Sequence, residues 1–242
     1  MASESPKADP ERPERRINVG RRVFLGFTVL GALGVAFGNS AQNVLGDVFG
    51  SGFAGLLPGG DRFRIYSITG SYPKISRKRY RLEVSGLVDR PTTFTMDDLE
   101  AMPKTSFTKD FQCVTGWRVT DVQWEGVKLA DILTHVGVQP SAVAVSFDSY
   151  DHADTESLTL DQAHLSDVIV AYSMLGAPVT REHGGPVRLY VAPMFGYKSL
   201  KWLSGIRVVD RVEPGFWEQN GYPTNGWLDG TTGPTNPDPG LT

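Results

Sequence analysis

The one cysteine of this 242-residue chain, Cys113, has the widest chemical reach of any residue in it. It occupies Phe111-Gln112-Cys113-Val114-Thr115-Gly116-Trp117-Arg118, where an extended stretch runs into a glycine-containing turn. A thiolate is a soft ligand that suits a soft, high-valent metal, and a turn can present it as mid-strand cannot. A lone cysteine also serves as a small buried hydrophobe, and on the residues alone both readings stand. Having one cysteine excludes an intramolecular disulfide and any multi-cysteine zinc or iron–sulfur site.

A second group of reactive residues follows later in the chain. His183-Gly184-Gly185-Pro186-Val187-Arg188 leads into a strand, and Met194-Phe195-Gly196-Tyr197-Lys198-Ser199-Leu200-Lys201-Trp202 comes after it. Glycine turns around a strand that carries Arg and Lys can hold an anion through backbone N–H groups and charge-assisted bonds. The alternative is a hairpin with solvated charges. His135, His152, His164 and His183 lie at no metal-cluster spacing, and H-E-x-x-H, G-x-S-x-G and Walker motifs are absent. Gly50-Ser51-Gly52-Phe53-Ala54-Gly55 has the form G-x-G-x-x-G but lacks a strand before it and a helix after it, so it reads as a flexible linker.

The elements that must position these groups are short. Tyr80, Leu82 and Val84 alternate as in a half-buried strand, with Asp89-Arg90-Pro91 as the turn after it. Thr95 and Asp98 form a capping box for a helix over Met96–Ala101. Extended stretches are predicted around Ser106–Gln112 and Val119–Trp124, then a helix with the stripe Leu129, Ile132, Leu133, Val136. Strands are predicted at Ala142–Phe147, Val168–Tyr172, Val187–Val191 and Ile206–Val209, and the segment from Glu213 is expected to wrap the surface. The pattern is an α+β domain with a large β component, over residues 61–242. Its 27 Gly and 16 Pro agree with many turns.

Residues 1–60 read differently. A charged, Pro-rich lead of 16 residues precedes Gly20-Arg21-Arg22-Val23-Phe24-Leu25-Gly26 and an apolar run to about Phe37. This is the form of a twin-arginine export signal, either cleaved or kept as a membrane anchor, and it places the folded domain outside the cytoplasm. The net charge of −3, with Lys and Arg scattered beyond residue 60, gives no basis for nucleic-acid binding.

Taken in order, Phe-Gln-Cys before a turn, His-Gly-x-Pro-Val-Arg and Lys-x-x-Lys-Trp resemble the sulfite oxidase family. The cysteine loop with Trp117 looks closest to the catalytic subunit of bacterial periplasmic protein-methionine-sulfoxide reductases and related small proteins. The resemblance covers roughly residues 61–222 and implies the mostly-β sulfite-oxidase fold. It also implies a molybdenum held by one pyranopterin dithiolene and by Cys113. By the same matching, His183, Arg188, Ser199, Leu200 and Lys201 hold the pterin and its phosphate, and Tyr66, Ser67 and Ser149 match further cofactor contacts. Arg118 matches a pocket arginine that would steady negative charge on the substrate, and Tyr222 an active-site tyrosine that would donate to an oxo group. The oxidases carry Arg-Asn-His where this chain has Tyr66-Ser67-Ile68, so it lacks an oxyanion partner unless the Arg64 side chain turns in. The activity implied is two-electron oxygen-atom transfer. Reduction of an S-oxide or N-oxide is expected, with sulfite-type oxidation or a cofactor-free anchored binding domain as alternatives. The substrate would be a small-molecule or protein-bound oxo-sulfur compound. A separate haem protein or quinol route would carry electrons, and a monomer is expected because the haem and dimerisation domains of larger oxidases are missing.

Overall fold

The computed structural model describes residues 63–224 and 226–228. The arginine pair, the apolar run and the glycine-rich linker lie outside them. The elements are β1 (Leu82–Gly86), β2 (Thr92–Phe94), α1 (Met96–Ala101), β3 (Lys104–Gln112), β4 (Arg118–Lys128), α2 (Leu129–Val136), β5 (Ala144–Ser149), β6 (Thr155–Thr159), α3 (Leu160–Ala163), β7 (Val168–Met174), β8 (Ala177–Pro178), β9 (Arg188–Val191), β10 (Leu203–Val209) and α4 (Phe216–Gln219). Short 3₁₀ turns occur at Arg77–Arg79 and Gly196–Lys198. Among the described residues no helix is long and apolar enough to cross a membrane.

Two sheets result. One runs β2-β1-β10-β5-β6, antiparallel except for the β1–β10 pair. The other runs β3-β4-β7-β8, with β9 also paired to β7. Period-two alternation divides the core between them. Val168, Val170 and Tyr172 of β7 and Leu189 and Val191 of β9 face the main core, shared with β1, β5, β10 and α2. Ile169 and Ala171 of β7 and Tyr190 of β9 face a second cluster with Phe111, Trp117, Val122 and Trp124. In that cluster Trp124 stacks on Tyr190 with ring centroids 3.9 Å apart, and the Tyr190 hydroxyl donates to the Asp110 carbonyl at 2.6 Å. An aromatic floor therefore lies directly under the hairpin that ends at Cys113.

The local signals hold in detail. Thr95 and Asp98 make the reciprocal capping bonds at α1, and Leu129, Ile132, Leu133 and Val136 are all fully buried. Three strands escape the sequence pattern. β2 and β8 are very short, and β6 is polar, because Glu156 and Ser157 are buried with polar partners instead of apolar ones. The segment from Glu213 does not merely wrap the surface. It forms α4, and the Glu218 side chain on that helix is 3% exposed. Arg77, Lys78 and Arg79 share one short turn, with Arg77 paired to Glu100.

Gly126 shows how closely the second sheet is assembled. A Cβ there would lie 2.2 Å from the Val170 carbonyl oxygen, at the irregularity where β4 meets β7. Gly126→Ala must therefore push the strands apart, with a stability loss of about 1–3 kcal/mol. Urea unfolding checks this, and an unchanged midpoint would show that the β4–β7 seam tolerates separation.

Candidate functional site

Cys113 sits at the tip of the β3–β4 hairpin. Its N–H donates to the Trp117 carbonyl at 2.9 Å and its carbonyl accepts from Gly116 N–H at 3.1 Å. Gly116 closes the turn at φ +94°, a conformation that L side chains rarely adopt. The thiol is half-buried, packed beside the second aromatic cluster, with Sγ 3.2 Å from the Thr115 hydroxyl. The turn thus offers the thiol at an edge of the protein instead of enclosing it.

The His183–Arg188 segment converges on this edge. Phe63 packs edge-on against His183 at 4.8 Å between ring centroids, and against Phe111 and Trp117 at 5.5 and 6.2 Å. It bridges the cysteine hairpin and the His183 loop, a role no local sequence signal marks. Gly196 lies against the Phe111 ring and the Gln112 carbonyl, so the loop before Lys198 also meets the hairpin. Gly184 leaves no room for a Cβ beside Lys201, and its carbonyl accepts from Trp202 N–H at 2.9 Å.

Arg188 stands on the same face of β9 as Tyr190, as strand alternation requires, and is 3% exposed. Its guanidinium lies 5.3 Å from the Phe111 ring and 5.6 Å from the Trp124 ring. It donates to the carbonyls of His183 at 2.7 Å and Ser199 at 2.8 Å, and among the described residues no carboxylate forms an ion pair with it. Burial pushes its pKa down to about 10. Lys201 donates to the Tyr66 carbonyl, lies 4.5 Å from the Trp202 ring, and is pushed down to about 8 by burial and by Arg188. His183 is lowered by burial, then by Arg188 and Lys201. A buried cation that depresses the basic groups around it gives the region the electrostatics of an anion site.

The remaining candidates divide. Tyr222 packs against the Tyr197 and Trp217 rings, each at 5.3 Å between centroids, and its hydroxyl is raised by burial and next by the charges of Cys113 and Tyr66. Tyr66 is exposed, and the Ser67 hydroxyl donates to the Ser71 carbonyl at 2.6 Å within its own loop. The Ser199 hydroxyl accepts from Val191 N–H at 3.0 Å, and the Leu200 carbonyl accepts from Leu189 N–H at 2.9 Å, so both lock their segment to β9. The Ser149 hydroxyl donates to the Asp151 carboxylate and lies 2.9 Å from the Asp154 carbonyl, in the turn beside Trp202. Arg118 is 55% exposed and its guanidinium is 3.6 Å from the Asp110 carboxylate. Asp154 was not anticipated. It is buried, Oδ1 has no partner, and burial followed by Asp151 raises it to about 7, while Lys201 and Arg188 oppose the rise.

A half-exposed thiol at one end and buried Arg188 with Lys201 at the other fit a group that carries a soft metal and a phosphate. Among the described residues no three His, Cys, Asp or Glu side chains cluster as a metal site, so such a metal would bring its other ligands with it. Residues 69–217 match the oxidoreductase molybdopterin binding domain. An uncharacterized oxidoreductase, YuiH, of Bacillus subtilis is 38% identical over 61% of this chain and 74% of its own length. A putative protein-methionine-sulfoxide reductase subunit, YedZ1, of Azospira oryzae is 30% identical over 65% of this chain and 58% of its own. The sulfite oxidase of Arabidopsis thaliana is 31% identical over 59% of this chain and 45% of its own, so this chain spans less than half of that relative. Among solved structures the sulfane dehydrogenase SoxCD of Paracoccus pantotrophus superposes with a TM-score of 0.55 at 25% identity, covering 59% of this chain and 41% of that one. The chain belongs to the oxidoreductase molybdopterin binding domain family, the family of the sulfite oxidases.

Proposed function

We propose that this domain binds a molybdenum pyranopterin through Cys113 and reduces an S-oxide (or N-oxide) outside the cytoplasm. The observation that carries the reading is a buried Arg188, with no carboxylate ion pair among the described residues, lying over the Phe111 ring of the hairpin that presents Cys113. When bound, the group supplies two-electron oxygen-atom transfer. Arg188 and Lys201 would hold its phosphate by charge-assisted bonds, and His183, Ser199 and Leu200 would frame it by fixing the backbone around them. Ser149 and Asp154 shape the turn beneath Lys201, and Tyr66 and Ser67 line the opposite loop.

Reduction of a sulfoxide breaks its S–O bond and takes up two protons and two electrons as the oxygen leaves as water. The Tyr222 hydroxyl, its pKa raised by burial and next by Cys113, would donate a hydrogen bond to that oxygen. A neutral substrate is favoured because the Arg118 guanidinium already faces Asp110, and because Tyr66-Ser67-Ile68 offers no cation of its own. Sulfite-type oxidation is the second reading, favoured by the likeness to the plant sulfite oxidase. Electrons would come from a separate haem protein or quinol route, and the Arg21-Arg22 lead would direct export.

Three measurements test this. Cys113→Ser exchanges a soft sulfur for a hard oxygen with little change in shape, so the variant should fold and lose the thiolate-to-molybdenum absorption with nearly all turnover. A wild-type spectrum and rate in that variant would remove Cys113 as the metal ligand. Lys201→Ala, which leaves the Arg188 bonds to the His183 and Ser199 carbonyls intact, should give a folded chain with low molybdenum content by elemental analysis, whereas full occupancy would remove Lys201 from cofactor binding. Arg118→Ala should change KM for a neutral sulfoxide by less than about fivefold, since exposed ion pairs are worth at most about 1 kcal/mol. A rise of about ten- to a hundredfold for sulfite, the loss of a charge-assisted bond, would favour the oxidase reading instead.

A further inference from the structure

Lys198 lies outside the anion cradle yet is as buried as Arg188. Its ammonium donates to Glu156 Oε1, to Glu218 Oε1 at 2.7 Å and to the Ser157 carbonyl at 3.0 Å, so three acceptors take its three protons. The side chains of Lys198, Glu156 and Glu218 are 4%, 1% and 3% exposed. Burial pushes the Glu156 carboxyl up to about 8, which lets the cluster hold a proton at neutral pH. Glu156 Oε2 and Glu218 Oε2 are buried without partners. A buried cluster with orphaned oxygens is a poor source of net stability, and its best-attested use is to fix one arrangement over others.

What it fixes here is the route of the chain to Tyr222. Glu218 belongs to α4, and the turn after it is tied back by Gly221 N–H to the Glu218 carbonyl at 3.0 Å and Tyr222 N–H to the Trp217 carbonyl at 3.1 Å. On the other side, the Tyr197 ring meets the edge of Tyr222 at 5.3 Å and the Tyr197 hydroxyl donates to the Pro223 carbonyl at 2.6 Å. Phe195 N–H donates to the Gly226 carbonyl at 2.7 Å, and Leu228 N–H to the Pro193 carbonyl at 3.0 Å. Gly226 and Gly215 close over the cluster: a Cβ would lie 2.6 Å from Lys198 Cγ at the first and 2.8 Å from Glu218 Oε2 at the second.

We propose that the Lys198–Glu218 pair is a positioning device that holds the 216–222 segment, and with it the Tyr222 ring against Tyr197. It rests on the reading of Tyr222 as the hydrogen-bond donor to substrate oxygen. Lys198 touches neither the thiol nor the cradle; it acts through α4. The pair thus makes a tyrosine that arrives from the far end of the chain as well placed as one on a strand.

Glu218→Met is the chosen variant, because it leaves Lys198 paired one-to-one with Glu156 and removes an orphaned oxygen. The expected result is an intact global unfolding midpoint and, in cofactor-free protein, amide exchange at Tyr222 faster by about tenfold, the factor that corresponds to about 1.4 kcal/mol. In the loaded enzyme kcat with a sulfoxide should fall by a similar factor while KM stays put. Glu218→Gln keeps an acceptor for the ammonium and should recover part of both losses. In a Tyr222→Phe background, Glu218→Met should cost nothing further in kcat, because the device then positions nothing. Wild-type exchange at Tyr222 in Glu218→Met, or kcat losses that simply add in the double variant, would overturn the proposal. Absence of sulfoxide turnover in the wild type would sink the functional reading alone, since amide exchange still decides whether the device exists.

Discussion

A desolvated guanidinium organises this domain. Arg188 cannot sit on the aromatic floor of Phe111 and Trp124 without acceptors for its buried N–H groups, and its shortest bonds are to the carbonyls of His183 and Ser199. Those two bonds join the loop before β9 to the loop after it. The Ser199 hydroxyl and the Leu200 carbonyl then dock the second loop on β9 itself. The cationic cradle and the backbone geometry around it are thus one construction, in which the charge is supported by dipoles and left available to an anion.

The thiol end depends on the same floor. Trp124, Tyr190, Phe111 and Trp117 stack in sequence below the hairpin, and Phe63 closes the gap to His183. Aromatic planes hold their positions through large contact areas with few rotatable bonds. Cys113 needs no bulk of its own to stay in place, because its turn is fixed by Trp117 below and Gly116 at the bend. The two ends of the site therefore share one rigid support.

Charge is distributed unevenly around this support. Burial lowers Arg188, burial and then Arg188 lower Lys201, and Asp154 is raised by burial and by Asp151. A few ångströms of chain away, Lys198 is enclosed by two glutamates. Two lysines three residues apart thus have opposite fates: one is compensated inside the fold and structural, the other is left without a carboxylate ion pair among the described residues and faces the site.

Much of this was legible in the residues. The capping box of Thr95 and Asp98, the apolar stripe of α2 and the alternation in β1, β7 and β9 are local patterns, and local physics decides them. Cys113 in its glycine turn, and Arg188 and Lys201 flanking a strand, could be singled out by residue type and spacing. What residue order could not convey is which polar side chains would be buried, since that depends on chain segments far apart in sequence. Glu156 and Ser157 made β6 look like a loop, and Glu218 looked like a surface residue, because their partner Lys198 lies 42 and 20 positions away. Tertiary structure also decided that Tyr222 packs on Tyr197 and that Phe63 bridges the cysteine hairpin and the His183 loop. Each joins residues far apart in sequence, and no period or motif within one segment encodes it.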